Sequence, residues 1–181
     1  MNRLLQTAII NAKRHLKPAL AALGASLLAV VPAGADSGGR TMPGTVPPAY
    51  LQECAACHLA YPPGMLPARS WQRIMGGLDR HYGTDASLDP ATVKELGAWL
   101  QTHAGTYKRV SEEPPQDRIT RSAWFERKHR QIEPAVWKLP SVKSAANCAA
   151  CHTGAERGQF DDHGLREPAG LTTRQRRAWN D

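Results

Sequence analysis

The five letters CAACH occur twice in this chain, at residues 54–58 and 148–152, and together they use all four cysteines. C-x-x-C-H is the attachment motif of a c-type haem, so the pattern predicts two covalently bound haems and electron-transfer chemistry. The spacing has a physical reason. Residues three and four apart share a face of a helical turn. Cys54 and Cys57 then form thioethers to two vinyl groups of one porphyrin, and His58 ligates the iron from the same face. Cys148, Cys151 and His152 repeat the arrangement, and the Ala pairs let the ring lie close to the backbone.

Three other readings of the cysteines compete. Zinc ribbons place their CxxC pairs about 15–20 residues apart; here about ninety residues intervene, and the repeated His has no role. A dithiol redox site of the thioredoxin kind calls for a βαβ context, and no strand pattern is visible. Structural disulfides are possible in an exported protein.

The N-terminus reads as an export signal. Arg3, Lys13, Arg14 and Lys17 precede an apolar stretch over residues 19–31, and Ala33-Gly34-Ala35 forms an A-x-A cleavage pattern. The stretch falls short of the roughly 20 apolar residues that span a bilayer. We therefore expect residues 1–35 to be removed and the mature protein to be soluble and periplasmic. The formal charge of +7 includes four basic and no acidic groups from the signal, so the mature chain carries +3. Two haems add four propionates, which leaves little support for nucleic-acid binding. Arg174, Arg176 and Arg177 form a basic tail, expected to be a solvated, mobile terminus.

The mature length of about 146 residues suits one domain or two small ones. Aromatic residues are only 6%, in keeping with porphyrins serving as much of the core. Residues 36–48, rich in Gly and Pro, read as an extended entry segment. A short helix from Ala49 is expected to carry the first CAACH, ended by Tyr61-Pro62-Pro63-Gly64. Ser70 is the expected N-cap of the next helix, whose apolar stripe is Trp71, Ile74, Leu78 and His81, ending at Gly83. Asp89 caps a third helix with Pro90 at its first position and Val93, Leu96, Leu100 and His103 on its buried face. That order is the plan of a class I cytochrome c-like haem domain over residues 36–108. The polar stretch around Pro114-Pro115 marks the boundary to a second haem domain, residues 109–181. There Ser122 caps a helix bearing Phe125, His129 and Ile132, Pro134 and Pro140 break the chain, and a helix from about Ser144 carries the second CAACH. The fold class is mainly α, with a smaller, loop-rich C-terminal haem domain. Outside CAACH the halves show no internal repeat.

The sixth position of each iron decides between carrier and catalyst. The mature methionines, Met42, Met65 and Met75, all lie in the first half. Besides His58 and His152, the mature histidines are His81, His103, His129 and His163. His81 and His129 are the expected distal ligands; each could instead be an ordinary helix-face histidine. Met75 rivals His81, His103 reads as a helix-end residue, and His163 follows Asp161-Asp162 in a polar loop. Which distal ligand faces which iron stays open at this level. Arg69, Arg73 and Tyr61 could position propionates, or lie as solvated surface residues.

The segments ECAACHLAYPPGMLPARSW at 53–71, GLDRHYGTDASLD at 77–89, WFERKHRQI at 124–132 and ANCAACHTGAERGQFDD at 146–162 resemble the bacterial dihaem cytochrome c family. The resemblance spans nearly the whole mature chain and stops before the tail beyond Ala169. It implies a class I-like first domain, an irregular second domain and bis-histidine ligation, with His81 and His129 matching the family's histidines. It also implies two redox partners, a small oxygen-binding monohaem cytochrome c and a membrane b-type cytochrome. Met65 falls where the family is expected to be apolar, which favours core packing. The leading functional expectation is a non-enzymatic electron carrier with two low-potential haems. The alternative is a dihaem peroxidase, small-molecule reductase or gas binder with one open iron, where Asp161, Asp162 and His163 form a loose acid/base cluster.

Overall fold

A proline pair opens the first helix: Pro47 and Pro48 preset helical entry, and α1 runs Pro48–Cys54. The structure, a computed structural model, describes residues 42–106, 110 and 112–180. The expected signal segment and the boundary between residues 108 and 109 lie outside these residues. α1 stops at Cys54, so Cys57 and His58 sit in the turn that follows and not on the helix itself. Tyr50 anchors α1 in the core, 2% exposed, with its ring 4.7 Å from that of Trp99.

The next helix, α2, spans Ala68–Met75 with Pro67 as its N-cap, three residues earlier than Ser70 suggests. Pro67 supplies the entry, and its carbonyl accepts from the amides of Ser70 and Trp71. Ser70 is therefore inside α2 and fully buried. Trp71 is buried too, and its indole Nε1 donates to the Pro63 carbonyl at 2.8 Å. The stripe expected to run unbroken to His81 is split. Gly76 and Gly77 end α2, and a separate 3-10 turn, Leu78–Arg80, delivers His81. Tyr82 and Gly83 follow with φ of +51° and +98°; only glycine adopts the latter without strain. α3, Pro90–Thr102, starts where its sequence predicts, but His103, expected on its buried face, is instead its exposed C-cap. The Asp89 carboxylate accepts from the amides of Ala91 and Thr92, both at 3.0 Å. Leu96 and Leu100 face inward with Tyr50, Ala60, Leu66 and Trp71, forming one hydrophobic cluster.

The second half is built from short pieces. Ser122 caps α4, Ala123–Lys128, by accepting from the Phe125 amide at 3.1 Å. His129 ends α4 as its C-cap, so Ile132 lies beyond the helix. Single 3-10 turns follow at Val136–Lys138, Cys148–Ala150, Ala155–Arg157 and Asp162–Gly164. The expected helix from Ser144 is replaced by the turn at Cys148–Ala150. Lys143 adopts φ of +70°, and the Asn147 side chain bonds back to the Val142 carbonyl, so the approach to the motif cannot be helical. The basic tail is ordered: α5 spans Thr173–Asn180. Arg174 pairs with Glu133 at 2.8 Å and Arg176 with Glu167 at 3.8 Å, and the buried Leu171 precedes the helix. Charge pairing and one apolar anchor hold what composition alone reads as a solvated end.

Pairing between extended segments among the described residues is limited to two isolated bridges, His81 with Thr84 and His152 with Leu165. The described residues fall within one compact unit. Among them no helix is long and apolar enough to cross a membrane.

Candidate functional site

Each CAACH meets a second histidine from elsewhere in its own half. The His58 and His81 ring centres are 6.0 Å apart with planes at 25°. The His129 and His152 ring centres are 6.2 Å apart with planes at 78°. Two metal–imidazole bonds of about 2 Å each, plus roughly 1.1 Å from each nitrogen to its ring centre, separate trans imidazoles by about 6.2 Å. Both gaps therefore have the width that one iron between two imidazoles requires, and each distal candidate faces the CAACH of its own half.

Protonation suits ligation as well. His81, His129 and His152 are all held below the ordinary imidazole range, chiefly by burial. The neutral ring is the form that binds a metal. Hydrogen bonds fix the tautomer in two of the four rings. His58 Nδ1 lies 2.7 Å from the Leu59 carbonyl and His129 Nδ1 2.9 Å from the Phe125 carbonyl. A carbonyl oxygen only accepts, so Nδ1 carries the hydrogen and Nε2 keeps its lone pair for iron. His152 differs, because its Nδ1 is buried and meets no hydrogen-bond partner.

The competing thiol readings gain nothing from the geometry of the cysteines. All four are free, with no disulfide between them. Burial pushes the Cys54 and Cys148 thiols up to about 11, whereas an activated redox thiol needs a lowered value. Among the described residues no three His, Cys, Asp or Glu side chains gather as a metal cluster, which leaves the zinc reading without support.

Two long-range staples close the sites. At the second motif, the Thr153 amide donates to the Gly164 carbonyl and the Arg166 amide to the Cys151 carbonyl, both at 2.8 Å. Residues 161–166 thereby clamp residues 149–153. Asp161 and Asp162 lie near enough to His152 to act on it electrostatically. Asp161 also accepts from the His163 amide at 3.0 Å, and the His163 side chain is exposed. At the first site, Tyr82 beside His81 donates its hydroxyl to the Asp117 carbonyl at 3.0 Å, and the Arg118 guanidinium lies 4.3 Å above its ring. Neither staple is visible in local sequence pattern.

Other candidates fall elsewhere. Met65 is buried and Met75 packs against the hydrophobic cluster. His103 is the exposed C-cap of α3, with Nδ1 donating to the Trp99 carbonyl at 2.8 Å. Arg73 is not free for a propionate: it grips Asp117 through two bonds of 2.6 and 2.9 Å and reaches Glu113 at 2.7 Å. Tyr61 points toward the other half of the chain, its hydroxyl 2.7 Å from the Ala146 carbonyl. Burial pushes its phenol up to about 12, with a smaller contribution from nearby Cys148.

The chain is similar to known proteins. A DHC protein purified from Rhodobacter sphaeroides is similar in structure, at 44% identity, covering 64% of this chain and 98% of that one with a TM-score of 0.56. A second structure of diheme cytochrome c from Rhodobacter sphaeroides gives 42% identity and a TM-score of 0.57. The diheme cytochrome sb-DHC from Shewanella baltica gives 35% identity over 68% of this chain and 96% of that one, with a TM-score of 0.60. No curated protein matches at significance. The dihaem cytochrome c description matches residues 50–160, from α1 past the second CAACH. On that match the chain belongs to the dihaem cytochrome c family, and its cofactors are two c-type haems.

Proposed function

We propose that this protein is a periplasmic electron carrier, not an enzyme, with two six-coordinate, bis-histidine haems of low potential. Cys54 and Cys57 hold the first haem, with His58 and His81 on its iron. Cys148 and Cys151 hold the second, with His152 and His129. The observation that carries this reading is the pair of imidazole spacings, 6.0 and 6.2 Å, each matched to one iron. Two imidazoles donate strongly to iron and favour its oxidised form, hence the low potentials. With both axial positions filled by protein, neither iron has a site for substrate, and an electron passes without ligand exchange. The A-x-A signal pattern and the exported character of cytochromes c support a periplasmic location.

Partners follow from the family resemblance: a small oxygen-binding monohaem cytochrome c and a membrane b-type cytochrome. The surface around His129 supports docking of an acidic redox partner. Arg127, Lys128 and Arg130 are all exposed there and line a shallow groove with Gln131. Redox encounters of this kind are small and transient, and raised ionic strength weakens steering by such a collar.

The test is the optical spectrum of the reduced protein before and after carbon monoxide. Wild type is expected to show no change. His81→Ala and His129→Ala are each expected to open one iron, so that about half the haem becomes high-spin and binds the gas, as one of two equal sites should. Carbon monoxide binding by wild type would reject the six-coordinate reading and favour an enzyme or gas binder.

A further inference from the structure

Tyr61 touches both haem sites. Its ring centre lies 5.1 Å from that of His58, with planes at 31°. Its hydroxyl donates to the Ala146 carbonyl at 2.7 Å, across a sequence separation of 85. The same carbonyl lies 3.7 Å from the Cys148 sulfur. The side chain is held on both sides of its own backbone. The Tyr61 carbonyl accepts the Tyr50 hydroxyl, and the buried Pro62 and Pro63 follow. One half-buried aromatic ring thus stands between an iron ligand of the first haem and a covalent attachment point of the second. Local spacing gives no hint of this, because the acceptor belongs to the other half of the chain.

We propose that Tyr61 is the coupling element between the two haems. It fixes the distance from the His58 side to the Cys148 side, and it supplies a continuous path of ring, hydrogen bond and carbonyl between them. Electrons tunnel more readily through bonded and hydrogen-bonded atoms than across a gap, so this bridge speeds transfer within the molecule. The step is one electron moving from the ferrous to the ferric iron, with no bond made or broken. Tyr61 stays a neutral phenol and keeps its proton. It is a positioning residue, and it rests on the two-haem carrier reading above.

The test uses the holoprotein. A light-driven or radiolytic pulse delivers less than one electron per molecule, and the redistribution between haems is followed optically. Tyr61→Phe keeps the ring and deletes only the hydrogen bond; it is expected to slow redistribution several-fold while each haem's midpoint potential and the six-coordinate spectrum stay as in wild type. Tyr61→Leu deletes the ring as well and is expected to be slower still. Tyr61→Phe alone decides the matter if the leucine variant does not assemble. Unchanged redistribution in Tyr61→Phe, or slowing that merely tracks a changed potential difference, would overturn the proposal and leave direct transfer between porphyrin edges. A wild-type protein with no redistribution at all would instead defeat the carrier reading itself.

Discussion

Around the first haem site, Tyr50, Ala60, Leu66, Trp71, Leu96 and Leu100 pack into one cluster joining α1, α2 and α3. Around the second, the buried residues Phe125, Val136, Val142, Ala150, Ala155 and Leu171 are spread among short turns and loops. The first half pairs a thirteen-residue helix with a protein core; the second is laced by backbone bonds such as those between residues 149–153 and 161–166. A porphyrin offers a large apolar surface, so the second half can use its cofactor as a core where the first supplements its own. One family fold therefore contains two solutions to burying the same group. The lesson is that haem dependence of folding need not be uniform along the chain.

Removing the attachment cysteines should break the comparison most sharply. Cys148→Ser with Cys151→Ser is expected to abolish one haem and to strip hydrogen-exchange protection from the second half as a unit. Cys54→Ser with Cys57→Ser should also lose one haem but leave protected amides in α3. Equal protection loss in both variants would show that the halves depend on haem alike. Next in size, Leu100→Ala opens a cavity in the hydrophobic cluster that joins α1, α2 and α3. It is expected to cost about 2–5 kcal/mol in thermal or denaturant unfolding while both haem spectra persist.

A spectroscopic difference should follow from the axial planes. If each histidine pair ligates one iron as proposed, ring planes at 25° and 78° would give the two ferric irons different splitting of their d orbitals. Electron paramagnetic resonance should resolve two low-spin signals, a rhombic one from the first haem and a strongly anisotropic one from the second. Each should vanish selectively with His81→Ala or His129→Ala. A single signal of double intensity would erase this distinction between the halves.

The smallest effect concerns the clamp between α2 and residues 113–117. Arg73 holds the Asp117 carboxyl below its usual range through direct hydrogen bonds. A depressed folded value means that the clamp's stabilisation is present above the ordinary carboxylate pKa of about 4 and lost as pH falls through the lower folded value. Arg73→Ala should therefore lower the unfolding temperature slightly at neutral pH and have no effect in strong acid. A pH-independent difference would place the contribution in packing.

Much of this architecture is legible in sequence because it is local. The CAACH repeats, the Asp89-Pro90 entry to α3 and the Ser122 cap of α4 each depend on neighbours within a few residues. The T-x-x-Q start of α5 is equally local, though easily overlooked beside so many arginines: the Thr172 amide donates to Gln175 Oε1 at 2.9 Å, and the Gln175 amide to Thr172 Oγ1 at 3.3 Å. Elements fixed by tertiary contacts are not legible. Helical periodicity carries Trp71 through His81 as one stripe, yet Gly76-Gly77 breaks it and the residue beside His81 is held by residues 117 and 118. Likewise the turn at Cys148–Ala150 is short because distant residues 164 and 166 occupy the backbone groups around it.

Those same tethers imply an order of assembly. The residues that hold Tyr82, and with it the approach of His81, are made some thirty-five positions later in the chain. The residues that clamp the second motif also come after it. Each porphyrin can thus be joined to its cysteines while its pocket is still unfinished, and the downstream segment then shuts the door.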